Sequence, residues 1–263
     1  MDILQTIILG FIQGTTEWLP ISSTGHLRIA EHFFGLTLPG LFDVMLHFGT
    51  LIVTLIYFRK DIKNVLGALV EADFKSENGR LIPLIIAGTV PTVIIGFFFG
   101  NFLDIYFSSV LALGGGFVFS GFVLYSSKFG KEDKPDITYL DALIIGTAQG
   151  IAIVPSISRS GFTIAAALLL GVQRKRAFKF SFLLSIPSII GALGLTLYEQ
   201  HTELALAGVG WTEIVVGVVV SIAVSFLAIK ILWQTLASRK FYLFAFYCFI
   251  IGAFLIILSF FGF

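Results

Sequence analysis

Six apolar stretches limit what this 263-residue chain can become: 43–58, 81–100, 108–126, 180–198, 213–233 and 241–261. A helix of about 20 apolar residues crosses the hydrocarbon core of a bilayer, so each stretch reads as a transmembrane helix. Gly and Pro inside several of them are tolerated, because neighbouring helices re-satisfy the backbone in a membrane bundle. Composition points the same way: 57% of the residues are hydrophobic and 13% charged, against about 45–50% and about 25% in soluble domains. A soluble enzyme and a disordered chain are thereby excluded. A formal net charge of +1 offers no electrostatic grip on nucleic acid. The single cysteine, Cys248, rules out a disulfide framework. The expected fold class is all-α, a polytopic membrane protein.

All 17 Lys and Arg residues except Arg28 and Arg159 lie in the segments 59–80, 128–134, 174–179 and 230–240. The segments 101–107 and 199–211 hold none. Basic loops stay in the cytoplasm, which places the four basic segments inside and the other two outside. Two stretches then begin and end on one side of the membrane: 1–34 outside and 138–172 inside. Each is broken near its middle by Pro and small hydroxyl residues, and each reads as a re-entrant helical hairpin. Asp141, near the start of the second, is expected to be solvated.

The hairpins are related in sequence. At an offset of 136 residues, GFIQGTTEWLPISSTG (10–25) aligns without gaps to GTAQGIAIVPSISRSG (146–161), with six of sixteen positions identical. Composition alone gives about one. The chain therefore divides into a first repeat, 1–136, and a second, 137–263, each a hairpin followed by three spans, in one integrated membrane domain. An odd number of crossings per unit makes the second copy inverted. In such architectures the binding site lies near the midplane, where broken helices meet.

The hairpin tips hold nearly all the polar groups expected at membrane depth. Gln13 and Glu17, four apart, share a helix face. An ionised side chain at the bilayer centre costs about 2.5–3.5 kcal/mol on insertion scales, so Glu17 and Arg159 are functional candidates; the plain alternative is a structural ion pair between them. Ser22 and Ser158 stand where they would cap the helices that follow. Two helix N-termini aimed at one cavity favour an anion. Gly25 and Gly161 permit close backbone approach. Ser22, Ser23, Thr24, Ser158 and Ser160 add hydroxyls, and Arg159 adds a guanidinium fork suited to phosphate. Glu17 beside a phosphate makes sense if a divalent cation, Mg2+ or Ca2+, bridges them, with Gln13 as a neutral second ligand. Ser23 and His26, three apart, supply a hydroxyl and an imidazole for hydrolysis; spacing does not decide whether Ser23, His26 or a water attacks. Asp43 and His47 read as supporting residues and Arg28 with Glu31 as a local pair. The rival reading is a transporter, a lipid-phosphate flippase or anion carrier, because inverted repeats and broken helices are typical of that class.

The segment from Gln13 to Leu27 resembles the first signature of the undecaprenyl-diphosphate phosphatase (bacitracin-resistance) family, Glu/Gln-x-x-x-Glu followed by Pro-x-Ser-Ser-Thr-Gly-His. Residues 155–161, PSISRSG, look like its second, Pro-Gly-x-Ser-Arg-Ser-Gly, and the stretch from Phe42 to Arg59 is also similar. The resemblance implies a divalent-metal-dependent enzyme of the cell membrane that removes the terminal phosphate of a polyprenyl diphosphate, regenerating the carrier lipid for cell-wall synthesis, with a site open to the extracytoplasmic side. It assigns the metal to Glu17 and Gln13, the diphosphate to Arg159, and the displacement to Ser23 and His26. The expected partners are the prenyl diphosphate and membrane lipid, with a homodimer as an allowed assembly and no nucleic acid. Three positions depart from the pattern: Gln13 where many members have Glu, Ser156 where they have Gly, and Cys248 after Tyr247 where they often have Arg.

Overall fold

The computed structural model describes residues 1–107, 109–200 and 210–261. Among these there are eleven α-helices: α1 (Ile3–Thr16), α2 (Ser23–Phe34), α3 (Gly40–Tyr57), α4 (Arg59–Val70), α5 (Leu81–Phe107), α6 (Val110–Ser126), α7 (Tyr139–Ile151), α8 (Arg159–Leu169), α9 (Arg174–Gln200), α10 (Trp211–Ala237) and α11 (Phe244–Ser259). The described residues form no strand, only one isolated bridge between Lys134 and Val172. Six helices are long and apolar enough to span a bilayer: Gly40–Tyr57, Leu81–Gly100, Val110–Phe129, Arg174–Glu199, Trp211–Ala237 and Phe241–Ser259. They coincide with the six stretches read from hydropathy, and the chain is a multi-pass membrane protein. Ser108, which opens one expected span, residues 201–209 of the expected 199–211 loop and residues 262–263 lie outside the described residues.

The charged segments are more ordered than hydropathy predicts. Segment 59–80 contains α4, and segment 174–179 is the first turn and a half of α9. Long basic side chains reach the interface from inside a helix, so a cluster of positive charge does not end one. Asp141 is a second correction. It is buried rather than solvated, because every demand of its carboxylate is met locally. It accepts from the Thr138 backbone N–H at 2.7 Å and forms an ion pair with Lys134 at 2.7 Å. Thr138 Oγ1 in turn accepts from the Asp141 N–H, a reciprocal cap on α7. Arg28 and Glu31 pair at 3.6 Å as expected.

α1, α2, α7 and α8 have 14, 12, 13 and 11 residues. At 1.5 Å per residue, each is too short to cross about 30 Å of hydrocarbon alone. α1 packs on α2 and α7 on α8, and each pair is held by a long helix: α1 lies along α10, and α7 along α5. The first crossing depends on small residues. A Cβ at Gly10 or Gly14 would stand 2.6 or 2.5 Å from the carbonyl oxygens of Gly217 and Ser221, and Ser225 Oγ donates to the Gly14 carbonyl at 3.3 Å. Such contact is how membrane helices approach without a hydrophobic driving force. Gly14→Val therefore separates α1 from α10. The expected result is a loss of about 1–3 kcal/mol, read as a lower melting temperature in detergent than the parent protein.

Candidate active site

The two short-helix pairs meet at their turns. α1 ends at Thr16, with Glu17 as its C-terminal cap. The chain then turns through Pro20 to Ser22, whose φ of 68° lies in the left-handed region. Ser22 Oγ accepts from the Gly25 N–H at 3.2 Å and so starts α2. The second turn is capped alike, with Ser158 Oγ accepting from the Gly161 N–H at 3.2 Å to start α8, but its left-handed residue is Ser156, φ 74°, two positions before the cap. Ser22 and Ser158, which align at the 136-residue offset, thus perform the same cap. Backbone strain of this kind in non-glycine residues tends to cluster at functional sites, and Ser156 carries it where the resembling signature has Gly. Across the junction, Ser160 Oγ donates to the carbonyls of Glu17 and Trp18 at 3.4 and 3.3 Å.

Glu17 is the hub. Its Oε1 accepts from the Arg159 guanidinium, which comes from the other turn. Its Oε2 accepts from Ser23 Oγ at 2.7 Å and from Gln13 Nε2 at 3.4 Å, and lies 3.3 Å from His47 Nε2. Glu17 is only 9% exposed, so these partners replace water around the carboxylate, as a buried charge demands. Two donors remain buried and unpartnered here, Arg159 Nη1 and Trp18 Nε1. Trp18 stacks on Phe182 with ring centroids 4.7 Å apart, and the Arg159 guanidinium lies 5.8 Å from the centre of the same ring, which fixes its plane.

The structure joins Gln13, Glu17, Ser23 and Arg159 and places Ser158, Ser160, Gly25 and Gly161 in the surrounding turns. Ser22 and Ser158 cap as the sequence predicts, accepting the Gly25 and Gly161 N–H groups. One expectation comes out differently. Ser23 and His26 are not hydrogen-bonded to each other: Ser23 is committed to Glu17, whereas His26 donates from Nδ1 to the Ser22 carbonyl at 2.7 Å and meets the Tyr247 hydroxyl through Nε2 at 2.7 Å. The imidazole is stacked on Tyr247 and meets Phe117 edge-on. Residues 23 and 26 lie on adjacent flanks of one helical turn, so their proximity in sequence does not aim them at one another.

His47 is the residue that sequence reasoning left in a supporting role. It donates from Nδ1 to the Asp43 carbonyl at 2.8 Å, which turns Nε2 toward Glu17. The available signal was its depth: a polar side chain inside an apolar span is a functional candidate by default.

The sequence predicts a divalent ion at Glu17 and Gln13, and the donor chemistry fits one. Gln13 is fully buried and its Oε1, a hard oxygen beside the carboxylate, has no hydrogen-bond partner. Among the described residues no group of three or more His, Cys, Asp or Glu side chains forms a cage. Mg2+ commonly takes only one or two carboxylates and completes its shell with waters and substrate phosphates.

Residues 6–254 match the family described as Bacitracin resistance protein BacA. The undecaprenyl-diphosphatase of Carboxydothermus hydrogenoformans is 41% identical, over 98% of this chain and 98% of its own. That of Halothermothrix orenii is 42% identical, over 98% and 99%. Undecaprenyl-diphosphatase 3 of Bacillus cereus is 40% identical, over 99% and 98%. A match this long, at this identity and over the segments that build the Glu17–Arg159 cluster, fixes the lineage: the chain belongs to the bacitracin resistance protein family BacA.

Proposed function

We infer that this protein is an integral membrane phosphatase that hydrolyses undecaprenyl diphosphate to the monophosphate and inorganic phosphate, recycling the lipid carrier of cell-wall synthesis. The full-length relatives carry the name undecaprenyl-diphosphatase. The observation that carries the chemistry is the Glu17 carboxylate, bonded at one oxygen to a hydroxyl and at the other to a guanidinium from a distant segment.

The geometry favours Ser23 as nucleophile. Its hydroxyl already donates to Glu17 Oε2 at 2.7 Å, within reach for general-base catalysis. Oγ attacks the terminal phosphorus, its proton passes to Glu17, and the bond from that phosphorus to the bridging oxygen breaks. Arg159 neutralises charge on the departing monophosphate, which takes the proton from Glu17. Water then attacks the phosphorus of the phosphoserine while Glu17 takes its proton; the bond from phosphorus to Ser23 Oγ breaks, Glu17 returns that proton to Oγ, and inorganic phosphate leaves. His47 holds Glu17 through Nε2, and the His26–Tyr247 pair steadies the start of α2. A divalent ion held by Glu17 and Gln13 would supply further neutralisation of phosphate charge.

The helix pairs α1–α2 and α7–α8 are read as re-entrant hairpins in an inverted repeat, 1–136 and 137–263. Supporting this are the matching caps at Ser22 and Ser158 and a reciprocal packing pattern. α1 lies on α10, the second span of the other half, as α7 lies on α5; α3 meets α9, and α6 meets α11. With the basic segments inside, the first hairpin enters from outside, and the site opens to the extracytoplasmic side.

The test is phosphate release by the purified protein from undecaprenyl diphosphate in detergent, where no compartments exist. Release that stops with a chelator and returns with Mg2+ is expected. A protein that only moves lipid releases none.

A further inference from the structure

Away from the Glu17 cluster, at the end of the bundle that carries the basic segments, lies a second feature with ligand chemistry. A cavity of about 270 Å³ opens between the 71–80 turn, the start of α5, the segment before α7 and the start of α9. Four cations, Lys75, Arg80, Arg176 and Lys179, and two carboxylates, Glu77 and Asp136, line it. Its floor is apolar, made by Leu81, Leu84, Ile137 and Phe180, all buried. Leu81 is the first residue of α5, so the positive end of that helix dipole adds to the field.

The cations fall into two kinds. Arg176 is held by Glu77 at 3.2 Å and Asp136 at 3.5 Å, and Lys179 by Asp61 at 2.6 Å and the Asn78 side chain at 3.4 Å. Lys75 and Arg80 are exposed, and among the described residues neither takes part in an ion pair. The rim thus has anchored charges and two cations open to an incoming anion.

An independent observation sets the level of this rim relative to lipid. α4, tied to the cavity through Asp61, carries Arg59, Lys60 and Lys63 in its first turns and exposes Leu66, Leu69 and Val70 toward its end, followed by Phe74. Exposed apolar side chains next to basic ones suit the headgroup and acyl boundary, where Lys and Arg keep their charges among the headgroups while apolar groups enter the acyl layer. The cavity beside it therefore opens among lipid headgroups. At about 270 Å³ it is below the usual range of drug-sized pockets, about 300–1,000 Å³; it suits a headgroup, with the chains left in the bilayer.

We propose that this cavity binds the phosphate of an anionic phospholipid, with Lys75 and Arg80 as the recognising cations at its rim. Basic pockets between membrane helices recognise anionic headgroups in this way. The site is separate from the phosphatase reading and stands without it.

The experiment is native mass spectrometry of the full-length protein in detergent, titrated with phosphatidylglycerol or phosphatidylcholine. One saturable phosphatidylglycerol is expected, with phosphatidylcholine binding far more weakly. Lys75→Gln with Arg80→Gln should weaken phosphatidylglycerol about tenfold or more, since each cation near an anionic lipid surface contributes roughly fivefold. Glu77→Gln, which releases Arg176 from a competing carboxylate, should tighten it. Lys230→Gln with Lys240→Gln, at the same end of the bundle but outside the cavity, should leave it unchanged. Equal loss in both double variants, or no loss in the first, overturns the proposal. Displacement of the lipid by millimolar inorganic phosphate identifies a free-anion site and overturns the lipid assignment; retention supports it.

Discussion

Purified Glu17→Gln protein will release phosphate from undecaprenyl diphosphate at least about 10³-fold more slowly than the parent, within the span of roughly 10²–10⁴ that a positioned general base contributes. The amide keeps the size of the side chain but cannot take the Ser23 proton, and it no longer offers Arg159 a charged partner. That second loss leaves a buried guanidinium uncompensated, which destabilises the protein, so turnover should be normalised to folded protein measured by gel filtration and melting temperature. The expected outcome is a folded, less stable and inactive variant. Turnover above a tenth of the parent's in folded Glu17→Gln protein would remove the carboxylate from its central place.

Ser23→Ala gives the second large effect. If Oγ attacks phosphorus, its removal costs at least about 10³-fold in kcat, in line with the loss of a covalent nucleophile, while a folded site with Glu17 and Arg159 still paired retains substrate. If a water attacks instead, the hydroxyl is only one of several hydrogen bonds to Glu17, and the loss should stay near tenfold, the value of about one hydrogen bond. Acid quenching of the parent enzyme with substrate labelled in the terminal phosphate separates the two directly: labelled phosphoserine at position 23 is expected, and its absence under single-turnover conditions points to water.

Much of this arrangement was legible in the residues because the bilayer simplifies the problem. The six spans follow from hydropathy, since hydrocarbon allows few alternatives to helix. The two turns follow from Ser-x-x-Gly capping patterns repeated at one offset, and the Glu17–Arg159 contact from the cost of leaving either charge alone at that depth. The remainder depended on tertiary contacts that no local pattern encodes. α4 was hidden because its residues mix charge with apolar side chains and so have modest hydropathy. Asp141 looked solvated because its partner Lys134 sits in a loop. His47 read as a supporting residue, and its direct contact with Glu17 came to light only with α3 placed beside the Glu17 turn. His26 and Ser23 seemed a pair by spacing, yet the imidazole's partner is Tyr247, 221 residues away. The structure explains no role for Cys248 beyond its buried contact with the Pro20 carbonyl.

One measurement bears most directly on the claim that two turns from distant parts of the chain form a single headgroup site: an experimental structure with a non-hydrolysable prenyl methylenediphosphonate. The account predicts the terminal phosphonate within about 4 Å of both Ser23 Oγ and the Arg159 guanidinium, consistent with the reach required of a near-attack complex. A diphosphonate bound elsewhere, with Glu17 and Arg159 still closed on each other, would contradict it.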